Sequence, residues 1–421
     1  MPGVRLAHRA GLRVALAMRT SLAAAALAML SALAATAPPD ELIDRAVECL
    51  EAKQFELART YLDPAVIDER LTAAERSRAY YLRGYAFLAQ RFDRSAAADY
   101  AHALASDSGN AEALNALGEL TLEGKGVARD DARAFALFLR SARLGNLDAE
   151  TFVGYALLVG RGTEPNVARA RYWLRVAADA GRIEALVDLA RSYRAVHAPQ
   201  PDPERARALY ESAIERGSSD ALVGLGYMHL NGELGQPDAR RAAAYFARAA
   251  RAGSAEGESA LATLYLDGHG VGRDVDRGRA LLERAARAGY APAQARLATL
   301  YLARGDETDA REALRWLRAA AEQDDVDAKN GLAWVLATTK HAALRDGRAA
   351  VATAEQVVAN ARSAATLDTL AAAYAETGQF DRASAVERDA LAALDRAQEQ
   401  DLAREFETRL AAYAARQPWR E

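Results

Sequence analysis

The sequence predicts an all-α chain, a right-handed α-solenoid of stacked helix–turn–helix repeats of about 36 residues per unit. The first observation is a glycine ladder: Gly109, Gly145, Gly181, Gly217, Gly253 and Gly289 are each 36 residues apart. The second is that other positions keep the same step. Asp130, Asn166, Asp202, Asp238 and Asp274 form one column; Gly118, Gly154, Ala190, Gly226, Ala262 and Ala298 form another. Ala134, Ala170, Ala206 and Ala242 continue into Gly278, and Ala142, Ala178, Ala250 and Ala286 keep step with Ile214 filling the gap. The third is composition, rich in Ala and Arg, with no strand-like alternation.

Each column has a physical role. Asp or Asn before an apolar-periodic run is an N-cap, whose side chain accepts a free backbone N–H. The ladder glycines suit the left-handed C′ position that closes a helix. A glycine inside a helix costs about 1 kcal/mol against alanine, so the small column implies close approach of a neighbouring helix. The unit therefore reads as helix A, short loop, helix B, turn. In the first unit helix A is expected at about 111–123 and helix B at about 131–144. Ala113, Leu114, Leu117 and Leu120 make the apolar stripe of helix A; Phe135, Phe138, Leu139 and Ala142 make that of helix B. Neither pair of faces is buried within one unit, so stacking must build the core.

The loop between the helices reads Gly124-Lys125-Gly126-Val127, then Gly160-Arg161-Gly162-Thr163, then Gly268-His269-Gly270-Val271. With the small column, the Asp cap and the ending Ala249-Ala250-Arg251-Ala252-Gly253, this resembles the Sel1-like repeat family, a relative of the tetratricopeptide repeat. The resemblance covers about 110–324, in six units. Three loops depart from it: Ala198-Pro199-Gln200-Pro201, Gly232-Glu233-Leu234-Gly235 and the shortened Arg304-Gly305-Asp306.

The flanks continue the theme. Residues 363–394 resemble a tetratricopeptide repeat through Leu370, Ala371, Tyr374, Gly378, Ala383 and Ala390. Gly84, Ala96, Tyr100 and Ala103 give a weaker match, and residues 41–62 read as a helix pair around Gln54-Phe55. The stretch 398–416 reads as a charged capping helix with a polar outer face. The expected organisation is thus a signal peptide (1–37), tetratricopeptide-like repeats (38–109), Sel1-like repeats (110–324), tetratricopeptide-like repeats (325–397) and a capping helix with tail (398–421).

The N-terminus is different in kind. Arg5, Arg9, Arg13 and Arg19 precede a 14-residue apolar run, Leu22 to Ala35. That is short of the ~20 residues of a spanning helix. Ala32-Leu33-Ala34 and Ala35-Thr36-Ala37 are two small-x-small cleavage options. The reading is a secretory signal, cut after Ala34 in preference to Ala37, with translation starting at Met1 or Met18; an uncleaved helix packed on the first repeat is the alternative. The chain carries 54 basic and 58 acidic residues, net −4. Removal of 1–34 takes four Arg and no acid, leaving 50 basic against 58 acidic, or −8. An acidic balance argues against a nucleic-acid partner and against attachment to anionic lipid. A single cysteine, Cys49, excludes an intramolecular disulfide framework and reads as a buried small side chain. This sets the chain apart from the cysteine-rich secreted branch of the Sel1-like family.

No catalytic constellation, metal site or cofactor is predicted. His8, His102, His197, His229, His269 and His341 show no metal-ligand spacing. His229 falls in a column with Tyr193, Tyr265 and Tyr301 and reads as a packing residue; His269 reads as an exposed loop residue. The run Gly268-His269-Gly270-Val271-Gly272 lacks the strand and the Gly-Lys-Ser/Thr ending of a phosphate loop. The cluster Glu322-Gln323-Asp324-Asp325-Val326-Asp327 lacks the glycine and final Glu of an EF-hand and reads as a solvated turn.

What remains is a surface. The resemblance to tetratricopeptide-like stacks implies that helix A lines a concave face, and positions i, i+4 and i+7 or i+8 share it. These are Asn115, Glu119 and Glu123, then Thr151 and Tyr155, then Arg191 and Arg194, then Tyr227 and Asn231. The expected function is a non-enzymatic, exported scaffold or adaptor for protein partners in the bacterial cell envelope, periplasmic or secreted. The alternative is a cell-wall glycan or small-ligand binding protein, or an enzyme, using the same groove.

Overall fold

The computed structural model describes residues 37–194, 200–395 and 399–421. The apolar leader segment expected at the N-terminus therefore lies outside the described residues, as does part of the third-unit loop. Every regular element among the described residues is helical. The chain divides into two units, residues up to 213 and residues from 214 onward.

The first unit contains α1 (Pro39–Glu51), α2 (Phe55–Ala65), α3 (Ala73–Ala89), α4 (Asp93–Ser106), α5 (Ala111–Glu123), α6 (Asp131–Arg143), α7 (Leu147–Val159), α8 (Val167–Asp179), α9 (Ile183–Arg191) and most of α10 (Pro203–Glu215). Helices pair in sequence order, as α1 with α2, α3 with α4, α5 with α6 and α7 with α8. The first helix of a pair also touches the first helix of a neighbour, as α1 does α3 and α7 does α9. The second unit contains α11 (Ser219–Leu230), α12 (Ala239–Arg251), α13 (Ala255–Asp267), α14 (Val275–Arg287), α15 (Ala291–Leu302), α16 (Glu307–Ala321), α17 (Val326–Thr338), α18 (Gly347–Asn360), α19 (Ala364–Glu376), α20 (Phe380–Ala393) and α21 (Gln400–Ala414). Here the first helices α11, α13, α15, α17 and α19 contact one another in succession and so form one layer.

The helices begin where the caps stand. The side chains of Asp130, Asn166, Asp202, Asp238 and Asp274 accept the backbone N–H three residues on. The N–H of the same residue returns to helix A, Asp130 to the Thr121 carbonyl, Asn166 to Leu157, Asp238 to His229 and Asp274 to Tyr265, and Asp202 to Tyr193 in the turn just past α9. One residue therefore starts helix B and ties its loop to helix A. Replacing Asp130 by Ala is expected to cost about 1 kcal/mol, read as a lowered unfolding midpoint.

Helix B closes where the glycines stand. Gly145 has φ +88° and donates to Ala142, while Asn146 donates to Ser141; the pairs Gly181/Arg182, Gly253/Ser254 and Gly289/Tyr290 repeat this double bond. This is the Schellman closure, which requires a left-handed residue at C′. Gly109 is a correction to the ladder: its φ is not positive, α4 ends at Ser106, and its N–H donates to the Asp107 side chain instead.

The small column does bring helices together. A Cβ on Gly118 would stand 3.1 Å from the Phe138 ring, one on Gly154 2.5 Å from Leu174, and one on Gly226 2.4 Å from Phe246. Ala113, Leu114, Leu117, Leu120, Phe135, Phe138 and Ala142 are all buried. Leu139 is only half-buried, and Leu137 takes the buried place because helix B turns that side toward α5.

Candidate functional site

The first-helix layer of the second unit bears an open groove of about 880 Å³. Its floor comes from one stripe on each helix: Tyr227 from α11, Ser259 and Thr263 from α13, Ala295 and Thr299 from α15, Gly331 from α17. Ser259 and Thr263, like Ala295 and Thr299, are four residues apart and so share a helix face. Asp325 and Asp327 stand at the start of α17, and Arg296 reaches Asp267 at 3.6 Å across the stripe. Tyr290, at the N-cap of α15, completes the wall; burial raises its phenol first, and Glu256 adds to it, so the hydroxyl stays protonated at neutral pH.

The residues singled out from the sequence separate in the structure. Tyr227 lines this groove. Asn231 does not: it is the exposed C-cap of α11, its amide 3.5 Å from Glu233. In the first unit, Asn115 donates to Glu119 at 2.8 Å on α5, Tyr155 is half-buried on α7, and Arg191 pairs with Asp188 at 2.7 Å. Glu123 is exposed beside Lys125, and Thr151 donates to the Leu147 carbonyl. Arg194 is a correction. Helix α9 stops at Arg191, so Arg194 leaves the face; it is 9% exposed and hydrogen-bonds the Tyr210 side chain.

Thr263 and Thr299 were missed, although the signal was present. They lie one and two repeat steps beyond Tyr227, in the column that also holds Glu119, Tyr155 and Arg191. The structure also gives the physical reason for the second glycine of the Gly-x-Gly loop. A Cβ on Gly126 would be 2.3 Å from the Asp93 carbonyl oxygen, on Gly162 2.1 Å from that of Asp131, and on Gly270 2.3 Å from the Ala239 carbonyl carbon. Each loop thus lies against the first turn of the preceding unit's helix B, with room for hydrogen only.

Several titratable groups, Asp325 of the groove among them, have structural roles. His229 stacks on Tyr245 at 5.4 Å, His269 is exposed, and Asp325 caps α17 through the Ala328 N–H. Cys49 is buried, which pushes its thiol up and away from thiolate reactivity. Among the described residues no group of three or more His, Cys, Asp or Glu could hold a metal ion. No helix among them is long and apolar enough to cross a membrane.

Stacked helical pairs that leave an open groove on the first-helix layer are the architecture of a helical repeat scaffold. The Sel1 repeat model matches residues 111–146, 147–181, 183–218, 219–254, 255–290 and 291–325, and the chain belongs to the Sel1 repeat family. Proteins of this family are generally interaction scaffolds. Similar solved structures include c5321, a protective antigen of uropathogenic Escherichia coli with an SLR fold, at 20% identity, covering 93% of this chain and 92% of that one with a TM-score of 0.48. A Sel1 repeat protein from Oxalobacter formigenes is 24% identical over 57% of this chain and 98% of its own, with a TM-score of 0.45. A comparison with curated protein sequences finds no match.

Proposed function

We propose that the chain is an exported, non-enzymatic adaptor that holds protein partners in a bacterial cell envelope, periplasmic or secreted. The observation that carries the binding role is the groove of α11, α13, α15 and α17, whose floor is built from short and aromatic side chains with charged walls. Such a surface offers shape and hydrogen bonds to an extended segment or a partner helix. Export is supported by the leader itself: four arginines, then a short apolar run, then small-x-small sites. It is tested by the mass of the protein recovered from the envelope fraction. Loss of 34 or 37 N-terminal residues is the expected result, and an intact N-terminus in the cytosol overturns it.

Partner binding is tested by cross-linked co-purification of wild type beside Thr263→Arg/Thr299→Arg. Both threonines reach the groove, so bulky cations there block it while leaving the buried faces untouched. The expected outcome is one or two partners retained by wild type and reduced at least tenfold in the variant. Equal recovery would remove the groove from the assignment. No partner with either, together with a saturable rise in Tm on adding peptidoglycan fragments, would move the assignment to glycan binding.

A further inference from the structure

After α21 the chain turns sharply. Arg416 sits at φ +56° and donates to Tyr413, and Gln417 donates to Ala412, a Schellman closure with arginine in place of glycine. Pro418 follows, and Trp419, Arg420 and Glu421 then run back to the end of α17. The contacts there are those of a bound extended peptide. Glu421 N–H donates to the Thr338 carbonyl at 2.9 Å, and Lys340 N–H donates to the Glu421 main-chain oxygen at 2.9 Å. The Trp334 indole N–H donates to the Glu421 carboxylate at 2.7 Å. Arg420 meets Glu376 at 2.6 Å, and Arg345 holds the other oxygen of that carboxylate at 3.0 Å. The Arg409 guanidinium lies near both the Trp334 ring, at 4.9 Å, and the Trp419 ring, at 5.5 Å.

We propose that this track is a docking site for an extended peptide carrying an aromatic, a cationic and an acidic residue in succession, and that the chain's own Trp419–Glu421 strap is its resident occupant. Backbone pairing at Thr338 and Lys340 fixes register without regard to sequence, and Glu376 and Trp334 select charge order. Trp419 packs against the core of the second unit and Arg420 also donates to the Ala337 carbonyl at 3.3 Å, while the Arg420 and Glu421 side chains stay open to water. The strap stays because its tether makes the encounter intramolecular, with an effective concentration on the order of millimolar. A partner can exceed it by using what the strap leaves open. Beside Trp334 lies a space of about 250 Å³ lined by Thr299, Leu317, Asn330 and Thr369, where Asn330 Oδ1 is buried without a hydrogen-bond partner. A segment longer than the strap would fill that space and satisfy that atom. The inference does not rest on export; the space beside Trp334 shares Thr299 and Leu317 with the wider groove, and the peptide titration below reads the strap track itself.

The test uses a fluorescent peptide with the sequence of residues 414–421, titrated against the full chain, a chain ending at Arg416, and full-length Arg420→Glu, which keeps Trp419 in place. The peptide is expected to bind the shortened chain and the Arg420→Glu chain at least about tenfold more tightly than wild type, because the resident strap competes. A peptide with its own Arg→Glu change is expected to bind none of them. The proposal is overturned if the peptide binds neither altered chain while their helical circular dichroism is intact. It is also overturned if all three chains bind alike. Should the shortened chain lose its helical signal, the Arg420→Glu chain decides alone.

Discussion

Alanine at Gly162 is expected to destabilise the chain by about 2–5 kcal/mol, the sum of roughly 1–2 for a left-handed non-glycine residue and roughly 1–3 for overpacking. Gly162 has φ +69°, and its added methyl would lie 2.1 Å from the carbonyl oxygen of Asp131. That neighbour is backbone in the first turn of α6, so no rotamer change relieves the overlap. Either the loop or α6 must shift, and the shift opens the junction between successive helix pairs. Gly145 is the internal control. It has φ +88° with nothing within 4 Å of its added Cβ, so alanine there pays only the backbone cost of about 1–2 kcal/mol. Urea unfolding of both variants checks this; equal losses would refute the inter-unit role of the second loop glycine.

The second large effect is a loss of stability with rising pH, centred on the last helices. Glu387 of α20 is fully buried beside Asp368 of α19, with Arg409 and Tyr413 facing them from α21. Burial first, then the Asp368 carboxylate, push Glu387 up to about 9; burial pushes Asp368 up to about 6 against the pull of Arg409. Arg409 holds Asp368 at 3.1 Å and Glu405 at 3.2 Å, and Glu421 adds further negative charge near Asp368. At neutral pH the pair keeps one proton, Glu387 hydrogen-bonds Asp368 as an acid, and the single negative charge is matched by Arg409.

Both folded pKa values are raised, so the folded chain binds more protons than the unfolded one. The stability they contribute is whole below their unfolded values, near 4, and falls as pH rises through about 6 and then about 9. One titrating proton gives a slope of at most about 1.4 kcal/mol per pH unit. Glu387→Gln keeps an N–H donor toward Asp368 without a titrating proton. The expected result is that hydrogen exchange of α21 amides speeds up between pH 6.5 and 9 in wild type, after correction for intrinsic exchange, and stays nearly flat in the variant. The same pH dependence in both would refute the assignment.

How much was legible follows from which groups act locally. Caps and closures depend on residues three to six apart in the chain, so the Asp column and the glycines from Gly145 onward could be read from spacing. Gly109 failed for the same reason: the turn before α5 is closed by Asp107, a local feature the ladder hid. Arg194 failed because the face argument assumes an unbroken helix, and α9 ends three residues earlier. The groove follows a column in the sequence: Tyr227, which the sequence reading named, and Thr263 and Thr299, which it did not, line it at the same step.

By itself the sequence determined that the repeated units are helical, where their second helices start and, from Gly145 onward, where they close, because caps and closures are decided by neighbours three to six residues apart, and the unburied faces of each unit then require stacking. Tertiary structure alone decided the rest. The second loop glycine matters only through the backbone of the preceding unit, the Asp368–Glu387–Arg409 cluster only through three helices meeting, and the Trp419–Glu421 strap only through its return to α17. Each depends on a neighbour outside the unit's own local turns, and in each it is burial or proximity that gives the residue its role.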